Sequence, residues 1–185
     1  MPEEIIHGAE ERMKRAITAL SHEFTTVRTG RASGAILEKV TLDYYGAPTP
    51  LLQLAGVSAP EPQLLVISPY DKSMIGAIEK AILASDLGLN PSNDGIVVRV
   101  PFPSLTEERR RELVKLCHTY AEQARVAVRN ARRDANEAFK KQEKDSTIGQ
   151  DDARRGEAEV QKRTDTFVKD IDDLLKRKEQ EIMEV

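Results

Sequence analysis

Apolar residues recur at steps of three and four along both ends of the chain, while the middle follows a shorter period. Ile6, Ala9, Met13, Ala16, Ile17, Leu20, Phe24 and Val27 carry the first rhythm and predict a long amphipathic helix. Pro2, Glu3 and Glu4 suit its positive end, and Thr29-Gly30 is where a glycine in the left-handed region would close it. A second helix is predicted from near Leu105 to about Lys144, with Leu113, Leu116, Tyr120, Ala124, Ala127, Ala131, Ala135 and Ala138 as its buried stripe. Thr106 is its expected cap, although Arg109 stands where a capping box would place glutamate. Asp145 to Gln150 interrupts the pattern. A last helix then follows, capped by Asp151 and carrying Ala153, Val160, Phe167, Ile171, Leu174, Leu175 and Ile182 inward.

Between Arg31 and Ser104 the texture is one of short apolar runs, prolines and glycines. Val40, Leu42 and Tyr44 alternate with Lys39, Thr41 and Asp43, as in a strand with one buried face. In YYGAPTP (44 to 50) Pro48 and Pro50 cannot donate to a central ladder, so the segment is a turn or an edge. Further strands are expected at Leu51 to Val57, Leu64 to Ser68 and Ile96 to Val100. A helix capped by Asp71 should run to about Ser85 with Met74, Ile78, Ala81 and Ile82 inward.

Three amphipathic helices that cannot bury a face alone should pack as a bundle. The predicted fold is therefore α+β: a three-helix bundle of residues 1–30 and 105–185, with a small β/α/β domain of residues 31–104 inserted through two crossings. The crossings are Thr29 to Ser33 and Pro101 to Ser104. A helix of about 38 residues would extend roughly 57 Å, which makes the expected molecule elongated.

Charge adds a feature that periodicity does not contain. In EQARVAVRNARRDAN (122 to 136), Arg125, Arg129 and Arg132 fall within a narrow wedge at about 100° per residue, and Arg133 sits at its edge. Glu122 and Asp134 lie nearby but outside the middle of that wedge, so the arginines are expected to face solvent with only partial neutralisation. Such a run is often just a solvated face. Arginine, however, binds phosphate bidentately and stays charged at any working pH, and a one-sided stripe of it is the footprint of an RNA binder. Because the chain carries a net charge of −3, that contact must be a local docking patch rather than a general coating of nucleic acid.

Cys117 is the single cysteine, so neither a disulfide framework nor a zinc spacing exists, and a reduced cytoplasmic setting fits. Its place near the apolar stripe indicates a core thiol. No stretch approaches a membrane span, and MPEEIIHGAEERMK lacks the layout of a signal peptide. His7, His22 and His118 are scattered, and Asp71, Asp86 and Asp94 read as cap and turn residues. With no G-x-S-x-G, Walker-type loop or metal-ligand cluster, no catalytic residue, metal or cofactor is expected. The rival reading is a helical scaffold or adaptor that binds other proteins. An α/β domain suspended on two crossings and an unbalanced arginine face both speak against it.

Six motifs in order carry a resemblance: VRTGRAS (27 to 33), YYGAPTP (44 to 50), ASDLGLNP (84 to 91), RVPFPSLTEERR (99 to 110), EQARVAVRNARRDAN (122 to 136) and DDARRGEAEVQK (151 to 162). Over essentially its full length the chain resembles bacterial ribosome recycling factors. The resemblance implies an L-shaped molecule, similar in size to a transfer RNA, made of a three-helix bundle and a small β/α/β domain. It implies binding to the post-termination ribosome and action with elongation factor G and GTP to separate the subunits and release messenger and transfer RNA. It places the bundle on large-subunit ribosomal RNA, with Arg132 the leading contact, Arg129 and Arg133 its companions and Arg125 on the same face. Any GTP turnover should belong to the partner, and the chain itself is expected to be a monomer. Gly30, Arg31, Ser33, Pro101, Pro103 and Ser104 make up the expected hinge. Ser104 departs from the family, which usually has a further proline there, and so leaves the stiffness of that crossing open.

Overall fold

The computed structural model describes residues 2–184, and these form two compact units. One comprises residues up to Glu23 together with Lys115–Glu179; the other comprises Phe24–Val114 and the residues from Gln180 onward.

The first unit is a bundle of three helices: α1 (Pro2–Thr26), α4 (Glu107–Lys144) and α5 (Gln150–Met183), each of which also sends an end into the second unit. Arg125 with Asp172, Arg132 with Gln161, and Phe139 against Gly156 step up α4 as they step down α5, so these two helices are antiparallel. Ion pairs from Arg12 to Asp134 and from Arg163 to Glu10 tie α1 to α4 and to α5. Ala9, Met13, Ala16 and Leu20 of α1 are buried in this unit, as are Ala153, Val160, Thr164, Ile171 and Leu175 of α5. The Thr164 hydroxyl donates to the Val160 carbonyl one turn back, which satisfies the only buried polar side chain among the described residues.

The buried face of α4 is rotated from the expected stripe. It runs through Leu113, Cys117, Ala121, Ala124, Val128, Ala131, Ala135 and Phe139, whereas Leu116 is 39% exposed and Ala127 faces solvent. Leu113, Ala124, Ala131 and Ala135 fit both phases. Val128 and Phe139 decide between them, since burying these larger side chains removes more apolar surface from water than burying Ala127 and Ala138. Cys117 is buried, as its position suggested.

Helix ends differ from expectation at two places. α1 stops at Thr26, before Gly30, and Gly30 does not adopt a positive φ. The β-branched run Thr25-Thr26-Val27 is poorly suited to continue a helix, and the Val27 N–H makes a tight bond to the Phe24 carbonyl at 3.2 Å. α5 begins at Gln150, so Asp151 lies inside its first turn instead of capping it; the Gly149 carbonyl accepts the first bond, from the Ala153 N–H at 3.0 Å. The expected cap of α4 is present: the Arg109 N–H donates to Thr106 Oγ1 at 3.1 Å.

The second unit holds two antiparallel sheets. β1 (Thr41–Tyr44) and β2 (Ala47–Pro50) form a hairpin closed by Tyr45 and Gly46, whose φ values of 50° and 83° give the mirror-image turn that suits strand twist. Pro48 and Pro50 thus sit in a two-stranded edge, one of the two placements their missing N–H permits. A one-turn helix, α2 (Leu51–Leu54), replaces the start of the strand expected from Leu51. Leu51 and Leu54 point inward at helical spacing while Leu52 is exposed, and the Leu51 N–H donates to the Val40 carbonyl.

The larger sheet has the order β3-β4-β6-β5, built from β3 (Ala55–Glu61), β4 (Leu64–Pro69), β5 (Ser92–Asn93) and β6 (Val98–Pro101). Leu65 lies opposite Val100 and Ile67 opposite Val98, giving one apolar face. α3 (Ile75–Ala84) covers it with Ile75, Ile78 and Ile82. Asp71 caps a short 3₁₀ turn, Lys72–Met74, that leads into α3. β6 starts two residues later than expected because Asp94 and Gly95 turn the chain and leave Ile96 60% exposed. Asp94 accepts from the Val97 N–H, from Arg99 and from the Ile96 N–H, and these bonds, that of Val97 foremost, hold its carboxyl well below the usual carboxylate range.

Candidate nucleic-acid interface on α4

The rotated phase of α4 sorts the four arginines. Arg125 follows buried Ala124 and is drawn inward: only 18% of its side chain is exposed. Its Nε and Nη2 both donate to Asp172 Oδ1, at 3.1 and 2.6 Å, and its Nη1 donates to Glu122 at 3.2 Å. Burial alone would ease proton loss, but the bonds to Asp172 and then Glu122 outweigh it and hold the pKa above the ordinary arginine value. The expectation that Arg125 faces solvent is thereby corrected; it is tied to carboxylates of α4 and α5.

Arg129, half exposed, shares Glu122 at 3.3 Å. Arg132 Nη1 instead donates to the neutral Gln161 Oε1 at 3.0 Å, and Arg133 Nη2 to the neutral Asn130 Oδ1 at 2.9 Å. Arg129, Arg132 and Arg133 join Val126, Asn130, Asn136, Glu137, Lys140 and Gln161 around an open depression of about 510 Å³. The depression is therefore edged by four cations and by Glu137 as its one carboxylate. Open, shallow and lined by flexible charged side chains, it lacks the enclosed apolar walls of a small-molecule pocket and suits a polyanion lying across it. The sequence had supplied the arginines. Gln161 and Lys140 were missed: Gln161 comes from another helix, and Lys140 lies about one turn beyond the motif.

The six expected hinge residues all belong to the second unit. Ser33 caps the short turn Gly34–Leu37 by accepting from the Ala35 N–H. Ala32 N–H donates to the Pro62 carbonyl and Phe102 N–H to the Gln63 carbonyl, each at 2.7 Å, so one β3–β4 turn holds both crossings. Gln63 Nε2 also donates to Ser104 Oγ at 2.9 Å, and Arg28 donates to the Pro103 carbonyl while its guanidinium lies over the Phe102 ring at 5.7 Å. Gly30 and Arg31 lie between α1 and that cap, with the Thr29 hydroxyl donating to the Arg31 carbonyl. Burial, and after it the nearby Arg109, push the Arg28 pKa down. Among the described residues, no group of three or more His, Cys, Asp or Glu side chains could hold a metal, and no helix is long and apolar enough to cross a membrane.

Comparison with known proteins gives a consistent result. The family model described as "Ribosome recycling factor" matches residues 20–183. Proteins named "Ribosome-recycling factor" from Bacillus cytotoxicus and Bacillus mycoides are 57% and 56% identical over 185 residues, covering the whole of both chains. A solution structure of a ribosome recycling factor superposes with a TM-score of 0.83 at 44% identity, covering 100% of this chain and 98% of that one. A second structure, of the T. thermophilus ribosome recycling factor placed with E. coli elongation factor G on the E. coli post-termination complex, gives a TM-score of 0.71 at 44% identity and full coverage of both chains. The chain belongs to the ribosome recycling factor family, whose members are translation factors and not enzymes.

Proposed function

We propose that this chain binds the post-termination ribosome in the cytoplasm as a monomer and, with elongation factor G and GTP, separates the subunits. Residues 1–30 and 105–185 act as the ribosome-binding bundle and residues 31–104 as the domain on which the translocase acts. Arg129, Arg132 and Arg133 hold phosphates of large-subunit ribosomal RNA, and Arg125, committed to Asp172 and Glu122, anchors α4 to α5 beneath them. The observation that carries the RNA reading is the set of neutral partners on Arg132 and Arg133, which orient two guanidinium groups without cancelling their charge. The chain turns between helix and sheet at Gly30, Arg31, Ser33, Pro101, Pro103 and Ser104, and these residues form the hinge of the working cycle. Relatives named ribosome-recycling factor that match over their whole length, and the post-termination assembly of the T. thermophilus protein with elongation factor G, support the ribosome and elongation factor G as partners.

The test is binding to purified large ribosomal subunits across a salt series. Arg132→Ala should bind about tenfold more weakly at low salt and show a salt slope smaller by roughly one unit, because one phosphate contact releases about one counterion. Binding equal to the parent at every salt concentration would mean that the arginine face is only solvated.

A further inference from the structure

Arg132 is held by a two-step relay from α5. The Gln161 amide oxygen accepts from Arg132 Nη1 at 3.0 Å, and the Gln161 amide nitrogen donates to Asp165 Oδ1 at 2.7 Å. Asp165 lies one helical turn beyond Gln161, on the same face of α5. The orientation of the amide follows from chemistry: a guanidinium only donates and a carboxylate only accepts, so turning the amide over would break both bonds. All three side chains belong to the bundle unit, and Gln161 lies on the edge of the same depression as Arg132.

We infer that Gln161, fixed by Asp165, is a positioning residue that aims Arg132 at its phosphate while keeping the guanidinium charge unneutralised. The contrast with Arg125 and Arg129 carries this. Arg125 and Arg129 are oriented by carboxylates, Asp172 and Glu122, which offset their charge. At Arg132 the carboxylate is set one residue back, and a neutral amide stands between the two charges. The amide removes rotamer freedom that a long side chain would otherwise lose on binding, and the remaining guanidinium nitrogens of Arg132 stay available for the bidentate fork that phosphate takes.

The inference rests on the proposed RNA contact of Arg132, and four variants separate the two. Full-length Arg132→Ala, Gln161→Ala, Gln161→Glu and the Arg132→Ala/Gln161→Ala double variant are compared for binding to purified large ribosomal subunits over a salt series. Thermal unfolding by circular dichroism is recorded for each. Gln161→Ala should weaken binding several-fold and add nothing in the Arg132→Ala background. Gln161→Glu is the decisive variant. It keeps an acceptor beside Arg132 and so preserves that bond, gives up only the amide donor to Asp165, and converts the Arg132 contact into an ion pair. Binding should therefore fall several-fold and the salt slope should shrink toward that of Arg132→Ala, with thermal stability close to the parent. If Arg132→Ala weakens binding while Gln161→Glu binds with the parent's affinity and slope, the positioning role is wrong and the RNA contact stands. If Arg132→Ala itself has no effect, the RNA reading fails, and the positioning role falls with it.

Discussion

Arg125 and Arg132 sit two turns apart on one helix, yet their charges are used differently. Arg125 is largely covered and makes three hydrogen bonds to two half-exposed carboxylates, so removing it cuts a tie between α4 and α5 and leaves a gap where its side chain packed. Arg125→Ala should lower the unfolding free energy by about 1–2 kcal/mol, measured by urea denaturation, with little change in the salt slope of ribosome binding. Arg132→Ala should do the reverse. From sequence the two are equivalent members of one wedge, and only the burial of Val128 and Phe139 tells them apart by fixing the phase of the helix. Asp94 is the turn residue that its place in the sequence predicts, and its bonds to the Ile96 and Val97 N–H groups explain why the turn extends into the first two residues of the strand expected at Ile96 to Val100. Its folded pKa is depressed below the ordinary aspartate value of 3.8, so its contribution is present above that value and is lost only as the pH falls beneath it. Asp94→Asn should lower the thermal midpoint by a few degrees at pH 7 and make less difference in stronger acid, where the parent's carboxyl is also being protonated. An equal gap between parent and variant at both pH values would count against the carboxylate network.

At the scale of elements, the helices were legible because their periods are long and unbroken, and the errors fall where two phases or two periods fit equally well. The alanines of α4 support either of two stripes, and Leu51 to Leu54 fits one helical turn as well as the head of a strand. Gly156 shows what close packing adds that no sequence pattern carries. A Cβ on this residue would lie 2.5 Å from Phe139 Cε1 and Cζ, and Phe139 is fully buried. Gly156→Ala should therefore destabilise by about 1–3 kcal/mol despite the helix propensity it gains. Gly8 in α1 meets nothing within 4 Å, so Gly8→Ala should stabilise by up to about 1 kcal/mol. Urea unfolding of the two variants side by side checks both signs. A stabilised Gly156→Ala would show that the α4–α5 contact is looser than described.

For the whole molecule, the period changes twice, near Arg31 and near Ser104, which is why the sequence predicts a discontinuous layout, and the six ordered motifs pointed to the family that the comparisons then gave. What could not be read was every relation that joins residues distant in sequence: Arg132 to Gln161, Arg125 to Asp172, and the single β3–β4 turn that holds both crossings. Recycling is a property of the molecule acting with its partners, and sedimentation of post-termination ribosomal complexes reads it without an intermediate step. Separated subunits should appear only when this chain, elongation factor G and GTP are all present, and replacing the parent with Arg132→Ala should sharply reduce them at limiting protein concentration. Intact ribosomes with all three present, or equal separation when this chain is left out, would contradict the account.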